Sequence, residues 1–222
     1  MDAVVTSRRE QAKEDRRRRL MDAAHDLLRE VGGETVTVQA IAERAGVSAA
    51  TAYNLFGTKT AILAGVYDQD LERFEARVAQ ADCGGGVERI FRAMEIAADL
   101  YRRDPGFYRT MMTDGLAGRD GAFAAAIRQP RVRFWRRMVE AAVAEGGLRP
   151  ETDVEALGAM LVHVVGGGLA DWAGGAISVD RLEAESLFGF AALLAGFASD
   201  DARASLRVRL EAANRAVSAA RS

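Results

Sequence analysis

The residues best suited to a specific chemistry lie between positions 38 and 56, where two short helical patterns flank a turn. Gly46 falls at the turn, and a residue without a Cβ adopts a positive φ there at little cost. Ser48 follows, and its hydroxyl can cap the first turn of the second helix. This spacing is typical of a helix-turn-helix, whose second helix lies in the major groove of DNA. The alternative is a plain helical hairpin with no role in binding nucleic acid.

The second helix of the pair has an inner and an outer face. Ala52, Leu55 and Phe56 can pack together against the first helix, since residues three and four apart share one side of a helix. The outer face then carries the residues that would contact base edges and phosphates, which are Ala49, Ala50, Thr51, Tyr53 and Asn54.

The elements that would position this pair extend on both sides of it. Leu20 to Val31 have the apolar spacing of an amphipathic helix, which Gly32-Gly33 would end. Thr37 can cap the next helix, and Lys59 begins a further periodic stretch. From Leu20 to Leu63, with TVQAIAERAGVS and TAYNLFGTK at its centre, the sequence resembles the TetR (tetracycline-repressor-like) family of bacterial regulators.

The resemblance implies roles for individual residues. Thr37 and Gln39 match positions that contact DNA phosphates in the family. Ser48 matches the cap of the recognition helix, and Tyr53 matches its phosphate-contacting aromatic residue. Lys59 matches a lysine that contacts the backbone of the DNA.

Several positions depart from the family pattern. Leu55 stands where the family often has His, and Gly57 stands where a basic residue is common. The Ala49-Ala50 pair stands where larger base-reading side chains often occur, and alanine offers only methyl contacts. We therefore expect base specificity to depend on Thr51, Asn54 and the shape of the DNA.

The overall charge gives no general attraction to nucleic acid. The chain has 222 residues, 49% of them hydrophobic, and a formal net charge of −2. Residues 8–19 are the exception, with seven basic against three acidic side chains. They are either an arm or first helical turns that contact phosphates or a minor groove, or a solvated terminus.

Other features narrow the location and the class of the protein. Cys83 is the only cysteine, the N-terminus lacks the apolar core of a signal peptide, and no uninterrupted apolar run has the length of a membrane span. We therefore expect a cytoplasmic protein with no membrane partner. Two histidines cannot form an HExxH zinc motif, and neither a G-x-S-x-G elbow nor a complete Walker motif is present. We expect no enzymatic activity, no metal and no cofactor.

The rest of the chain predicts an all-α fold. We expect an N-terminal three-helix, helix-turn-helix domain with a basic arm over residues 1–62, and a larger helical domain for ligand sensing and dimerisation over residues 63–222. The predicted features of the second domain are helices at 87–101, 107–113, 123–146 (kinked or restarted at Pro130), 152–173 (opened by a capping box from Thr152 to Glu155), 180–199 and 201–220, with a loop at 115–121.

Glycines among large apolar residues mark the two late helices. Each glycine inside a helix costs about 1 kcal/mol relative to alanine, so close approach between packed helices is the natural compensation. The resemblance implies that these helices form a four-helix bundle with a second copy of the chain. The alternative is that residues 166–168 break the helix. The predicted dimer-interface residues are Gly158, Gly166, Gly167, Gly189 and Gly196.

Methionines and aromatic residues concentrate in the helices that would enclose a central cavity. Methionine adapts to irregular shapes, so the composition suits a pocket for a small, mostly apolar or aromatic effector. The alternative is that these side chains only fill the core, and His163 is either a polar anchor or a core or interface residue. The predicted ligand-binding residues are Met94, Phe107, Met111, Met112, Phe134, Met138, His163 and Trp172.

Together these features predict a ligand-responsive transcriptional regulator. We expect a repressor that binds a palindromic operator in double-stranded DNA as a homodimer and is released when an effector shifts its conformational equilibrium. Two alternatives remain at this point: a DNA-binding dimer without an effector, and a helical interaction protein.

Overall fold

The computed structural model describes residues 8–31, 36–116 and 121–220, and the residues described form ten α-helices and no strand. One isolated β-bridge pairs Leu148 with Ala198. The predicted all-α fold is confirmed. The helices are α1 (Arg8–Val31), α2 (Val38–Arg44), α3 (Ala49–Phe56), α4 (Lys59–Gln80), α5 (Gly86–Arg103), α6 (Pro105–Leu116), α7 (Gly121–Ala144), α8 (Val154–Ala173), α9 (Val179–Ala195) and α10 (Asp200–Ala220).

Side-chain caps determine where the early helices begin. Thr37, Ser48 and Thr58 each accept a hydrogen bond from the backbone N–H three residues later, at 3.1, 3.1 and 3.0 Å. Such caps satisfy N–H groups that have no partner within the helix. The predicted caps at Thr37 and Ser48 are confirmed, whereas the predicted stop at Gly32-Gly33 lies outside the described residues.

The predicted capping box at the start of α8 is wrong. The hydroxyl of Thr152 donates to the carbonyl of Arg149 at 2.6 Å and is therefore engaged in the preceding turn. Asp153 caps the helix instead, by accepting a hydrogen bond from the N–H of Ala156 at 3.0 Å.

Other features of the C-terminal part also bear on the sequence predictions. Helix α7 continues through Pro130, so the alternative of a restart is wrong and that of a kink stays open, since a proline removes one helical hydrogen bond. Helix α6 reaches Leu116, so it includes the start of the predicted loop, and residues 117–120 lie outside the described residues. Helix α9 begins at Val179, one residue before the predicted start, because Ser178 caps it. Helix α9 ends at Ala195, before the predicted end at 199.

Helix α8 is continuous through residues 166–168, so the alternative of a break at these glycines is wrong. By length and composition, α8 also satisfies the criteria for a membrane span, with a mean hydropathy of 1.3 over 18 residues. It is the one such helix in the part of the chain described. Core helices of soluble proteins meet the same criteria, so this is weak evidence for a membrane.

The core is continuous from the N-terminal helices to the C-terminal ones. Helix α4 connects the two regions, since its first turns pack on α1 and its later turns pack on α5 and α7. Ile62 and Val66 are buried near its start, and Phe74 and Val78 are buried near its end. Helix α6 contacts α1 as well as α7 and α8, which gives the N-terminal region a second connection to the rest of the molecule.

Candidate DNA-binding surface and effector cavity

Helices α2 and α3 form the predicted helix-turn-helix. Gly46 has a φ of 67°, in the left-handed region where a side chain is strained, and it turns the chain between the two helices. Ile41 and Ala42 on α2 and Ala52 on α3 are fully buried between the helices and α1. The apolar faces that the sequence predicts for these two helices are therefore the faces that pack in the structure.

The outer face of α3 carries the predicted DNA-reading residues. Tyr53 is 53% exposed, and Ala50 and Asn54 are also exposed, whereas Ala49 and Thr51 are half-buried. The hydroxyl of Thr51 lies 2.9 Å from that of Ser48. Asn54 is therefore the exposed side chain on this face whose amide has both donor and acceptor capacity for a base edge.

The predicted phosphate-contacting residues flank this face. Thr37 and Gln39 are exposed at the start of α2, where the amide of Gln39 donates to Glu43 at 3.3 Å. Lys59 is half-buried in the first turn of α4. These residues come from the starts of two helices, α2 and α4.

The basic segment 8–19 forms the first half of α1. The guanidinium of Arg17 lies 4.8 Å from the centre of the Phe56 ring, so this segment packs against the end of α3. Arg44 on α2 forms a two-pronged ion pair with Glu30 on α1, with both distances 2.7 Å. That pair lowers the pKa of the Glu30 carboxyl.

A cavity of about 60 Å³ lies in the C-terminal part, bounded by α4, α5, α6, α7 and one residue of α8. Its apolar lining consists of Leu71, Phe74, Met94, Ala97, Leu100, Met112, Phe134, Trp135 and Val165. Its polar lining consists of Tyr67, Asp70, Tyr101, Tyr108 and Arg131.

The structure brings three of the eight predicted ligand residues to this cavity, which are Met94, Met112 and Phe134. Phe107, Met111 and Trp172 are buried beside it without lining it, and Trp172 supports the wall by stacking on Tyr101 with ring centres 5.3 Å apart. Met138 is half-buried elsewhere on α7, and His163 lies on the exposed side of α8, away from the cavity.

The polar residues of the lining were not predicted from the sequence. Asp70 falls within the apolar stripe of α4, four residues after Val66 and four before Phe74. Arg131 similarly follows Ile127 by four residues on α7. Asp70 and Arg131 are charged residues at positions where the helical period predicts an apolar residue. That mismatch is the sequence signal that could have identified both.

Asp70 and Tyr108 connect α4 to α6 across the cavity. The hydroxyl of Tyr108 lies 2.9 and 3.1 Å from the two carboxylate oxygens of Asp70 and donates to them. Burial raises the pKa of Asp70, and the hydrogen bond from Tyr108 opposes this increase. Burial also raises the pKa of Tyr108, with a further increase from the negative charge of Asp70.

A second pair of contacts connects α6 to α1. The ring of His25 lies 4.4 Å from the ring of Phe107, centre to centre. Arg29 forms an ion pair of 2.7 Å with Asp104, which immediately precedes α6. A displacement of α6 would therefore act on α1 and α4, the two helices that support the helix-turn-helix.

The predicted interface glycines differ in their surroundings. A Cβ on Gly158 would lie 2.9 Å from the backbone of Arg136, and one on Gly189 would lie 2.6 Å from Val164, so both allow close packing within the chain. Gly166 and Gly167 have open space around the Cβ position. Gly196 ends α9.

No group of three or more His, Cys, Asp or Glu side chains positioned to hold a metal ion occurs among the residues described. Cys83 is a free, half-buried thiol in the segment between α4 and α5.

Comparison with known proteins identifies relatives of both parts. A family model described as bacterial regulatory proteins, tetR family, matches residues 20–66. An uncharacterised HTH-type transcriptional regulator of Bacillus subtilis, YdeS, is 33% identical over 141 residues, which cover 61% of this chain and 69% of that protein. The HTH-type transcriptional repressor KstR of Rhodococcus jostii is 30% identical over 118 residues, which cover 53% of this chain and 55% of that protein.

The fold also matches a solved structure over most of its length. The TetR-family transcriptional repressor FadR of Thermus thermophilus, in complex with lauroyl-CoA, superimposes with a TM-score of 0.68 at 24% identity. The match covers 81% of this chain and 94% of that one, so the C-terminal helices share the arrangement as well.

Proposed function

This chain belongs to the tetR family of bacterial regulatory proteins, which are DNA-binding transcriptional regulators rather than enzymes, and we propose that it is a cytoplasmic homodimeric repressor released from a palindromic operator by a small effector. The proposed division places DNA binding in residues 1–62 and sensing and dimerisation in residues 63–222. The observation that carries the proposal is the single helix α4, which begins with Lys59 beside the recognition helix and lines the cavity at Tyr67 and Asp70.

The proposed DNA contacts follow from exposure and chemistry. Tyr53, Thr37 and Gln39 present polar groups to solvent beside the helix-turn-helix, and the neighbouring first turns of α1 add positive charge. These groups position the protein on the phosphates without reading sequence. Asn54 and Thr51 would then contact base edges, and the alanines at 49 and 50 would permit close approach to the groove floor.

Dimerisation is supported by an exposed stripe of small and apolar residues along α8. Residues at spacings of three and four share one side of a helix, and here Ala156, Met160, His163, Gly167 and Ala170 are all exposed. Met160 is 43% exposed, which is unusual for a large apolar side chain. We propose that this stripe, together with α9, packs against the same face of a second copy with Gly166 and Gly167 at the closest approach.

A twofold dimer has a direct consequence for the DNA site. Two recognition helices related by a twofold axis read two inverted half-sites, whose centres lie about 34 Å or a multiple of that distance apart. The operator is therefore proposed to be a palindrome.

Effector binding is supported by the composition of the cavity and by its neighbours. Its volume of 60 Å³ is far smaller than the roughly 300–1,000 Å³ typical of ligand pockets, so an effector must open it. Opening would displace α4 and α6 relative to α1 and alter the separation of the two recognition helices. An effector that binds the opened state more tightly than the closed state shifts the protein toward the opened state. The affinity for the operator then falls, and the size of the fall is set by the ratio of the effector's affinities for the two states.

The experiment that tests DNA binding uses the DNA flanking this protein's own gene, followed by selection from random sequences. Affinity is measured at several salt concentrations for the wild type, Tyr53→Ala, Lys59→Ala and the distant surface variant Val208→Ala. We expect Lys59→Ala to reduce the slope of log K against log salt by about 0.9, since one phosphate contact is lost. Tyr53→Ala should weaken binding with little change in slope, and Val208→Ala should bind as the wild type does.

The outcome separates the proposal from its alternatives. If neither the flanking DNA nor any selected sequence binds with a steep salt dependence, the chain is a helical interaction protein instead. Tight DNA binding that no ligand of the cavity changes would identify a regulator without an effector.

A further inference from the structure

Arg131 is largely buried and lines the cavity, with 7% of its surface exposed. Within residues 8–31, 36–116 and 121–220 no hydrogen bond or ion pair to its guanidinium occurs. Because no fully buried side-chain nitrogen or oxygen among these residues lacks a partner, the unpaired N–H donors of Arg131 are accessible rather than sealed in the core. A buried charge without a partner is costly, and proteins pair such charges or reserve them for a ligand.

Two phenols lie within electrostatic reach of this guanidinium. Burial raises the pKa of Tyr67 and of Tyr101, and the positive charge of Arg131 opposes the increase in both. Both side chains therefore keep their O–H groups at neutral pH and can donate hydrogen bonds. No hydrogen bond to either hydroxyl occurs among the residues described, and both residues line the cavity.

The carboxylate that lines the cavity is already engaged. Asp70 accepts both contacts from the hydroxyl of Tyr108, and its other titratable neighbours are His25, Arg73 and Arg77. The cavity lining thus includes the guanidinium of Arg131 and the hydroxyls of Tyr67 and Tyr101 as hydrogen-bond donors, whereas its carboxylate, Asp70, already accepts from Tyr108.

We propose that the cavity binds an effector with one carboxylate group, held by the guanidinium of Arg131 and the hydroxyls of Tyr67 and Tyr101, and with an apolar or aromatic body. A guanidinium presents two parallel N–H donors that match the two oxygens of a carboxylate. The body packs among Phe74, Met94, Met112 and Phe134, where the two flexible methionines allow the cavity to enlarge. This inference rests on the proposed function, because it specifies the effector of the same cavity.

The test measures the affinity of the full-length protein for matched pairs of probes by calorimetry. Decanoate and 2-naphthoate are each compared with their methyl esters, which have the same body without the charge. For the wild type we expect each carboxylate to bind at least about 10-fold more tightly than its ester. In Arg131→Gln this preference should disappear. Arg131→Lys should keep part of it, because lysine retains the positive charge but lacks the two parallel N–H donors of a guanidinium.

The matched control is Arg128→Gln, which removes an exposed arginine from the same helix one turn away. It should keep the full preference for the carboxylate. If the carboxylates bind no more tightly than their esters, or if Arg131→Gln keeps the preference, the proposal is wrong. If Arg131→Gln fails to fold, the affinities of the wild type and of Arg131→Lys for the carboxylates and their esters still test the proposal.

Decanoyl-CoA distinguishes a carboxylate in the cavity from an anion outside it. Its acyl group carries no free carboxylate, and its negative charges lie on phosphates at the far end of the molecule. Tight binding of the thioester with no binding of decanoate would overturn the proposal. Operator binding by the wild type without any probe is measured in parallel, so that a failure of DNA binding and a failure of carboxylate recognition are recorded separately.

Discussion

The hydroxyl of Tyr108 on α6 lies 2.9 Å from one carboxylate oxygen of Asp70 on α4 and 3.1 Å from the other. Of the residues described, these two form the hydrogen-bonded contact between the helix that continues from the recognition helix and the helix that also packs on α1. Because both residues line the cavity, the proposed effector would contact this pair. The pair is therefore suited to transmit the response to an effector.

Replacing Tyr108 by Phe should weaken this connection without a change in shape. The substitution leaves the carboxylate of Asp70 largely buried without its donor, so we expect the free energy of unfolding to fall by about 1–3 kcal/mol. We also expect the effector to reduce operator affinity by a smaller factor than in the wild type. Urea denaturation and operator titrations with and without effector measure the two effects.

Tyr53→Phe is the matched control, since it removes a hydroxyl from a tyrosine that is 53% exposed and distant from the cavity. Its free energy of unfolding should equal that of the wild type. An unchanged stability and an unchanged effector response in Tyr108→Phe would show that the two helices are coupled by other contacts.

Asp70 should make the stability of the protein depend on pH. Burial raises its pKa in the folded state, so the folded protein holds the proton more tightly than the unfolded chain does. Stability contributed by this proton is fully present below the ordinary pKa of an aspartate and is lost as the pH rises through the raised folded value. Asp70→Asn should therefore gain stability relative to the wild type as the pH rises from about 3 to 7.

Thermal unfolding at a series of pH values measures this difference. The matched control is Asp22→Asn, which makes the same substitution at an exposed position of α1. A difference between Asp70→Asn and the wild type that is constant with pH, or that favours the wild type as the pH rises, would contradict the assignment.

The helix-turn-helix could be read from the sequence because its determinants are local. The left-handed conformation at Gly46 and the caps at Thr37 and Ser48 depend on residues a few positions apart. Thr152 shows where local reasoning fails, since its burial and its bond to Arg149 give the cap of α8 to Asp153. A capping motif in the sequence does not indicate which of two adjacent polar residues caps the helix.

The cavity could be predicted only in part, because composition identifies apolar side chains without showing where space remains between them. Helix α8 is apolar on nearly every side, so its periodicity did not indicate that His163 faces solvent. Two of the polar cavity residues, Asp70 and Arg131, are charged, so they do not fit the composition expected of an apolar pocket. Their positions within apolar stripes were visible in the sequence, but their convergence depends on the packing of α4 against α7.

Base preference should depend more on Asn54 than on Thr51. The amide of Asn54 is exposed, whereas the hydroxyl of Thr51 lies 2.9 Å from that of Ser48 and is less available. In a binding-site selection, Asn54→Ala should relax the preference at one base pair by about 1–3 kcal/mol, while Thr51→Ala should have a smaller effect. Val208→Ala is the control, and base preferences that are identical in all four proteins would show that DNA shape alone determines specificity.

The exposed stripe of α8 should determine the oligomeric state. In a twofold dimer through this stripe, Met160 of each subunit becomes covered by the partner, so Met160→Glu places one unpaired charge from each subunit in a surface that becomes buried. Because Met160 is 43% exposed within one chain, the substitution should leave the fold of the subunit intact. We expect sedimentation to show monomers, circular dichroism to remain unchanged, and operator affinity to fall at least about 100-fold, since a monomer binds one half-site only.

Val208→Glu makes the same chemical change at an apolar side chain that is 64% exposed on α10, away from the stripe. This control should remain a dimer and bind the operator as the wild type does. A dimer that persists in Met160→Glu would place the subunit contact on another face of the molecule. The spacing of the two recognition helices, and hence the predicted separation of the operator half-sites, would then have to be derived from that face.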